Sequence, residues 1–123
     1  MRHTLKLNGI IIGHSDLEEV DALDRRVWGQ FRPGLGYELV QPIFRLFTEA
    51  TPMPGGEPLD QIKLARYLAA RDALPLELVD DRGTRIATAG IHIADYSESR
   101  GPEALSLDVL ITDDAYWGKR QEG

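Results

Sequence analysis

The chain has 123 residues, 42% of them hydrophobic and 28% charged, a balance that suits one folded domain and excludes a disordered chain. Its formal net charge of −6 repels phosphate backbones and anionic lipid surfaces, so neither nucleic acid nor a membrane is an expected partner. Cysteine is absent, which removes disulfides, thiolate metal sites and cysteine nucleophiles and favours a cytoplasmic location.

The first predicted element is a hairpin over residues 2–13. Leu5 and Leu7 alternate with Thr4 and Lys6, and Asn8-Gly9 stands before Ile10, Ile11 and Ile12, the residue pair that a type I′ turn demands. That apolar run falls far short of the roughly 18 residues of a membrane span, so the segment reads as neither signal peptide nor anchor. Ser15-Asp16-Leu17-Glu18 matches a capping box and predicts a helix of a turn or two, with Leu17, Val20 and Leu23 as its apolar positions. Residues 27–32 read as a strand with Val27, Gly29 and Phe31 on one face, ended by Pro33.

Two helices come next. Pro42 opens the first, which holds core contacts through Ile43, Phe44, Leu46, Phe47 and Ala50. A loop over residues 51–57 with Gly55-Gly56 precedes the second, over 59–74, whose apolar face is read from Ile62, Ala65, Leu68, Ala69 and Ala73. After Pro75 the period changes to two. Leu76 and Leu78, a turn at Asp80 to Gly83, a long strand over 86–94, a loop over 97–103 and the alternating row Leu105, Leu107, Val109 and Ile111 predict a three-stranded meander over 76–112. Ile86 has the opposite parity to Ile91 and Ile93, which predicts a bulge or bend near Gly90. The expected fold is α+β: an antiparallel sheet of about five to six strands, covered on one face by two helices, in a single domain over residues 1–123.

Candidate chemistry is sparse. His14, Ser15 and Asp16 are adjacent, but neighbours on an extended chain point to opposite sides and cannot converge as a triad. His92, Ser106 and Asp108 share the parity opposite to the core row, so His92 and Asp108 are a candidate acid and base pair on the solvent face of the sheet, away from the helices. The histidines His3, His14 and His92 lack metal-ligand spacing, and neither a metal nor a cofactor is expected. Gly34-Leu35-Gly36 lacks the third glycine of a dinucleotide loop. Asp16, Glu18 and Glu19, in a run of five carboxylates that continues to Asp24, and the aromatics Trp28, Tyr116 and Trp117 are candidate interface residues.

Asn8-Gly9, Gly13, Ser15-Asp16-Leu17-Glu18, Gly29, Phe31, Pro33 and Tyr37 together resemble the opening of small uncharacterised bacterial proteins, a domain of unknown function. The resemblance implies no activity, substrate or catalytic residue. The leading expectation is a non-enzymatic domain that binds a protein partner or a second copy of itself. Two alternatives stand beside it: a small hydrolytic or metal-assisted enzyme using His14 or His92 with a nearby carboxylate, and a small-molecule carrier with an apolar pocket between the sheet and the helix of Phe44 and Phe47.

Overall fold

A computed structural model describes residues 1–122 of the chain. β1 (His3–Leu7) and β2 (Ile10–Ser15) form the expected hairpin, joined by Asn8-Gly9 at φ values of 50° and 84°. Both turn residues thus take the positive φ of a type I′ turn, and Gly9 does so without a Cβ clash. The register shifts between Leu5 and Lys6, and Ile12 and Gly13 are both buried on β2.

The chain then departs from the expected helix cap. Ser15 Oγ accepts from Leu17 N at 3.1 Å inside a tight turn, and Glu18 reaches across to Gln30 N at 3.3 Å. Leu17 sits at φ 43° and is fully buried. Burying a leucine contributes about 2 kcal/mol, which outweighs the ~1 kcal/mol of a cap and offsets the left-handed backbone. The chain next forms a second hairpin, β3 (Glu19–Asp21) with β4 (Arg26–Gln30). Val27 and Phe31 are buried as the strand reading requires, and β5 (Arg32–Pro33) returns to pair with β2.

The α+β class and the antiparallel pairing agree with the sequence, but the strands divide between two sheets. With β6 (Leu76–Val79), β7 (Arg85–Ile86), β8 (Thr88–Asp95) and β9 (Leu105–Ile111), the described residues form one sheet ordered β5-β2-β1-β6-β7 and another ordered β3-β4-β9-β8. The meander expected over 76–112 is therefore split: it leaves the first sheet after Ile86 and enters the second at Thr88. This crossing resolves the parity conflict, because Ile86 packs from one sheet while Ile91 and Ile93 pack from the other. A register shift between Thr88 and Gly90 supplies the anticipated bulge.

α1 (Gln41–Ala50) and α2 (Gln61–Ala73) pack against each other and against β8. In α1, Phe44 and Ala50 are fully buried and Ile43, Leu46 and Phe47 line the core, as expected. Asp60 caps α2 by accepting from the backbone amides of Ile62 and Lys63 at 3.1 and 3.0 Å. The apolar face read for α2 is corrected: Ile62 is 71% and Leu68 40% exposed, while Tyr67 is 1% exposed and Leu64 half-buried. Alanines bury too little area to orient a helix, and a tyrosine whose hydroxyl finds a partner outcompetes them.

The loop expected over 97–103 is instead a short helix, α3 (Ser97–Arg100), with a single 3₁₀ turn after it. A further helix that the sequence reading missed, α4 (Asp114–Glu122), is capped by Asp113, which accepts from Ala115 N at 3.0 Å and Tyr116 N at 3.4 Å. The inward rows of both sheets, with Phe44, Tyr67, Tyr116 and Trp117, make one contiguous core. No described helix is long and apolar enough to cross a membrane.

Asp95, 5% exposed at the end of β8, ties the helical layer to the second sheet. Its Oδ2 accepts from the Tyr37 hydroxyl at 2.6 Å and from Gln41 Nε2 at 3.2 Å; its Oδ1 accepts from Ser97 N at 3.1 Å and Ser97 Oγ at 2.5 Å. Burial raises the Asp95 carboxyl, but the hydrogen bonds from Ser97, Tyr37 and Gln41 outweigh it and hold the group below its ordinary range. Asp95→Ala is expected to destabilise the fold by about 3 kcal/mol in urea denaturation, because the Tyr37 hydroxyl is left buried without an acceptor. Tyr37→Phe in the same background should recover part of that loss.

Candidate functional site

The face of the second sheet that carries His92, Ser106 and Asp108, expected to be open to solvent, is instead covered by the helices, because Phe47 of α1 and Tyr67 of α2 pack their rings on His92. Between this face and α2 lies a groove of about 640 Å³. Strand alternation builds its floor. His92 opposes Asp108 across β8 and β9, Trp28 opposes the same Asp108 across β4 and β9, and Ala94 opposes Ser106. The small side chains of Ala94, Ala104 and Ser106 leave the hollow; Trp28, Phe47, Tyr67 and Tyr96 wall it with rings. Pro54 and Gly55, from the loop after α1, also line it. That loop begins where Thr51 O accepts from the buried Tyr96 hydroxyl at 2.6 Å.

His92 is the chemical centre of the groove. Its ring lies edge-on to Phe47 at 4.5 Å and to Tyr67 at 5.5 Å between centroids, and its Nδ1 is hydrogen-bonded to the Tyr67 hydroxyl. Burial pushes its pKa down to about 4; Asp108 opposes that shift, and Arg71 and Arg26 reinforce it. The imidazole is thus neutral near pH 7. Burial also raises the Tyr67 phenol, so it keeps its proton. Asp108 is held by Arg26, whose Nε donates to both carboxylate oxygens at 2.9 Å, and the guanidinium lies 4.8 Å from the Trp28 ring centre. The Asp108 carboxylate is bound to Arg26, and among the described residues no hydrogen bond joins it to His92, although the two stand opposite each other on β8 and β9.

Ser106 completes the outer-face trio of the sequence reading, so His92, Ser106, Asp108 and Trp28 all meet in this groove. The other candidates lie elsewhere. His14 Nδ1 is 3.0 Å from Thr4 Oγ1 on the opposite parity from His3, which is buried with its ring against Tyr116 at 5.8 Å. Ser15 is buried in its turn, Asp16 is 3.5 Å from Arg32, and Glu18 lies across Gly29 of β4 while Glu19 stays exposed on β3. Tyr116 and Trp117 belong to the core, with Trp117 Nε1 donating to Ile111 O at 2.8 Å. No group of three or more metal-ligating side chains converges among the described residues.

A second depression of about 850 Å³ lies between the 80–85 turn and α4. Two of its three carboxylates hold the backbone: Asp80 Oδ1 accepts from Arg82 N and Thr84 N at 2.9 and 2.8 Å, and Asp113 Oδ2 accepts from Ala87 N at 3.1 Å, with Asp81 the third. Sequence reasoning missed Tyr67 and Arg71, for which the available signal was their (i, i+4) spacing on α2. No protein-family model, curated protein or solved structure matches the chain.

Proposed function

We propose that the protein is a non-enzymatic binding domain that takes a small, largely apolar molecule into the groove between α2 and the second sheet. The observation that carries this reading is the floor of small residues, Ala94, Ala104 and Ser106, ringed by Trp28, Phe47, Tyr67 and Tyr96. Pockets of 300–1,000 Å³ with apolar walls and a few fixed polar groups are the usual form of small-molecule sites. The aromatics Tyr116 and Trp117, which argued from sequence for a protein interface, are spent on the core, and this favours the carrier reading over a docked protein.

N-phenyl-1-naphthylamine, a neutral dye that brightens in apolar surroundings, tests the reading. It is expected to bind and to change the emission of Trp28. Ser106→Leu, which fills the hollow, should weaken binding at least tenfold while leaving the melting temperature near that of the parent. Equal binding by both proteins, or none by either, would sink the proposal.

A further inference from the structure

The groove is not chemically neutral, and one hydrogen bond sets its polarity. The Tyr67 residue is 1% exposed, and the His92 ring is the acceptor its hydroxyl meets among the described residues. Were Nδ1 protonated, the phenol oxygen would accept and its own proton would be buried without an acceptor, at a cost of about 1–3 kcal/mol. The phenol therefore donates to Nδ1, and the single proton of the neutral imidazole sits on Nε2. Nε2 has no protein partner among the described residues, and it is not one of the sealed polar atoms of the core. His92 lines the groove, and its Nε2–H is a hydrogen-bond donor without a protein acceptor among the described residues.

Charge adds direction. Arg26, Arg71 and Asp108 are the charged groups acting on His92, two guanidiniums against one carboxylate. Asp108 is committed to Arg26, and Arg71, lying 5.6 Å from the Tyr67 ring centre, is ion-paired with its exposed neighbour Asp72 and hydrogen-bonded to the Tyr67 side chain. Glu103 also lines the groove, as does Tyr96, which follows β8 and stands four positions after His92, roughly 13 Å along the chain. The His92 end thus favours an anionic oxygen, whereas the Glu103 end disfavours a second one.

Resting on the small-molecule reading, we infer that the groove selects an aromatic monocarboxylate, whose carboxylate accepts from His92 Nε2–H beside Arg71 while its ring lies over Ala94 and Ser106 toward Tyr96. His92 is the specificity-determining contact, and Tyr67 is the positioning residue that fixes its tautomer.

Calorimetric titration with 2-naphthoate and 2-methylnaphthalene separates this inference from the reading beneath it. The expected result is that both bind, with 2-naphthoate at least tenfold tighter, and that His92→Phe keeps 2-methylnaphthalene binding while erasing the preference. If both bind the parent equally, or if His92→Phe retains the preference, the monocarboxylate inference is overturned and the apolar carrier stands. If neither binds, both fall. A second measurement needs no variant: ¹⁵N spectra of the imidazole at pH 7 should show the Nε2–H tautomer of His92, and an Nδ1–H tautomer or an imidazolium there would overturn the assignment.

Discussion

Gly13→Ala is expected to cost about 3 kcal/mol and to lower the melting temperature by roughly 10 °C. Gly13 is buried on β2, between Leu5 of β1 and Pro33 of β5. A Cβ there would stand 2.3 Å from Phe31 Cζ and 2.6 Å from Arg32 O. Phe31 is 1% exposed and packs edge-on against Tyr37 at 5.5 Å, so its ring has nowhere to turn, and the carbonyl belongs to the β5 backbone that pairs with β2. Relief requires moving a strand, and overpacking of that kind costs 1–3 kcal/mol or more. Gly90→Ala is the control. A Cβ on Gly90 meets nothing within 4 Å, so its effect should stay within about 0.5 kcal/mol. Thermal melts of the two variants beside the parent measure both values, and a Gly13→Ala protein as stable as Gly90→Ala would refute the close approach.

Acidification supplies the second large effect. In the unfolded chain His92 takes a proton near its ordinary 6.5, but in the fold burial holds it to about 4. Between these values the unfolded state binds the additional proton, so falling pH favours unfolding. The neutral buried imidazole's contribution is fully present above pH 6.5 and is lost progressively down to pH 4. At 1.36 kcal/mol per unit, the loss amounts to about 3 kcal/mol. Urea denaturation at intervals from pH 7 to pH 4 should show this slope in the parent and a shallower one in His92→Gln, where burial and the nearby Arg2 and Arg32, which also lower the His14 pKa, leave a residual loss. Asp95 is held below its ordinary 3.8, so stability from that carboxylate is lost only below the His92 window. Parallel curves for parent and His92→Gln would mean that His92 titrates normally in the fold.

Several elements were legible because their causes are local. The β1–β2 turn arises from Asn8-Gly9, α1 from the Pro42 start and its aromatic spacing, and the β9 row from the alternation of Leu105 through Ile111. Others were not, because distant groups decided them. Ser15-Asp16-Leu17-Glu18 carries the residues of a helix cap, yet the core removed Leu17 and residues 19–30 became a hairpin. α2 was placed correctly as a helix but rotated, since its orientation depends on Tyr67 reaching His92, 25 residues later. The parity conflict at Ile86 was visible, whereas its resolution by a change of sheet was not.

The same division runs through the groove. The sequence alone determined that His92, Ser106 and Asp108 share one face, because side chains on a strand alternate whatever surrounds them. Only the tertiary structure decided that Trp28 joins them from β4, that α2 closes the other wall, that Arg26 claims Asp108, and that His92 stays neutral. Alternation is a property of neighbouring peptide units. Desolvation, charge pairing and cavity shape depend on groups that folding brings together from positions 26 to 108.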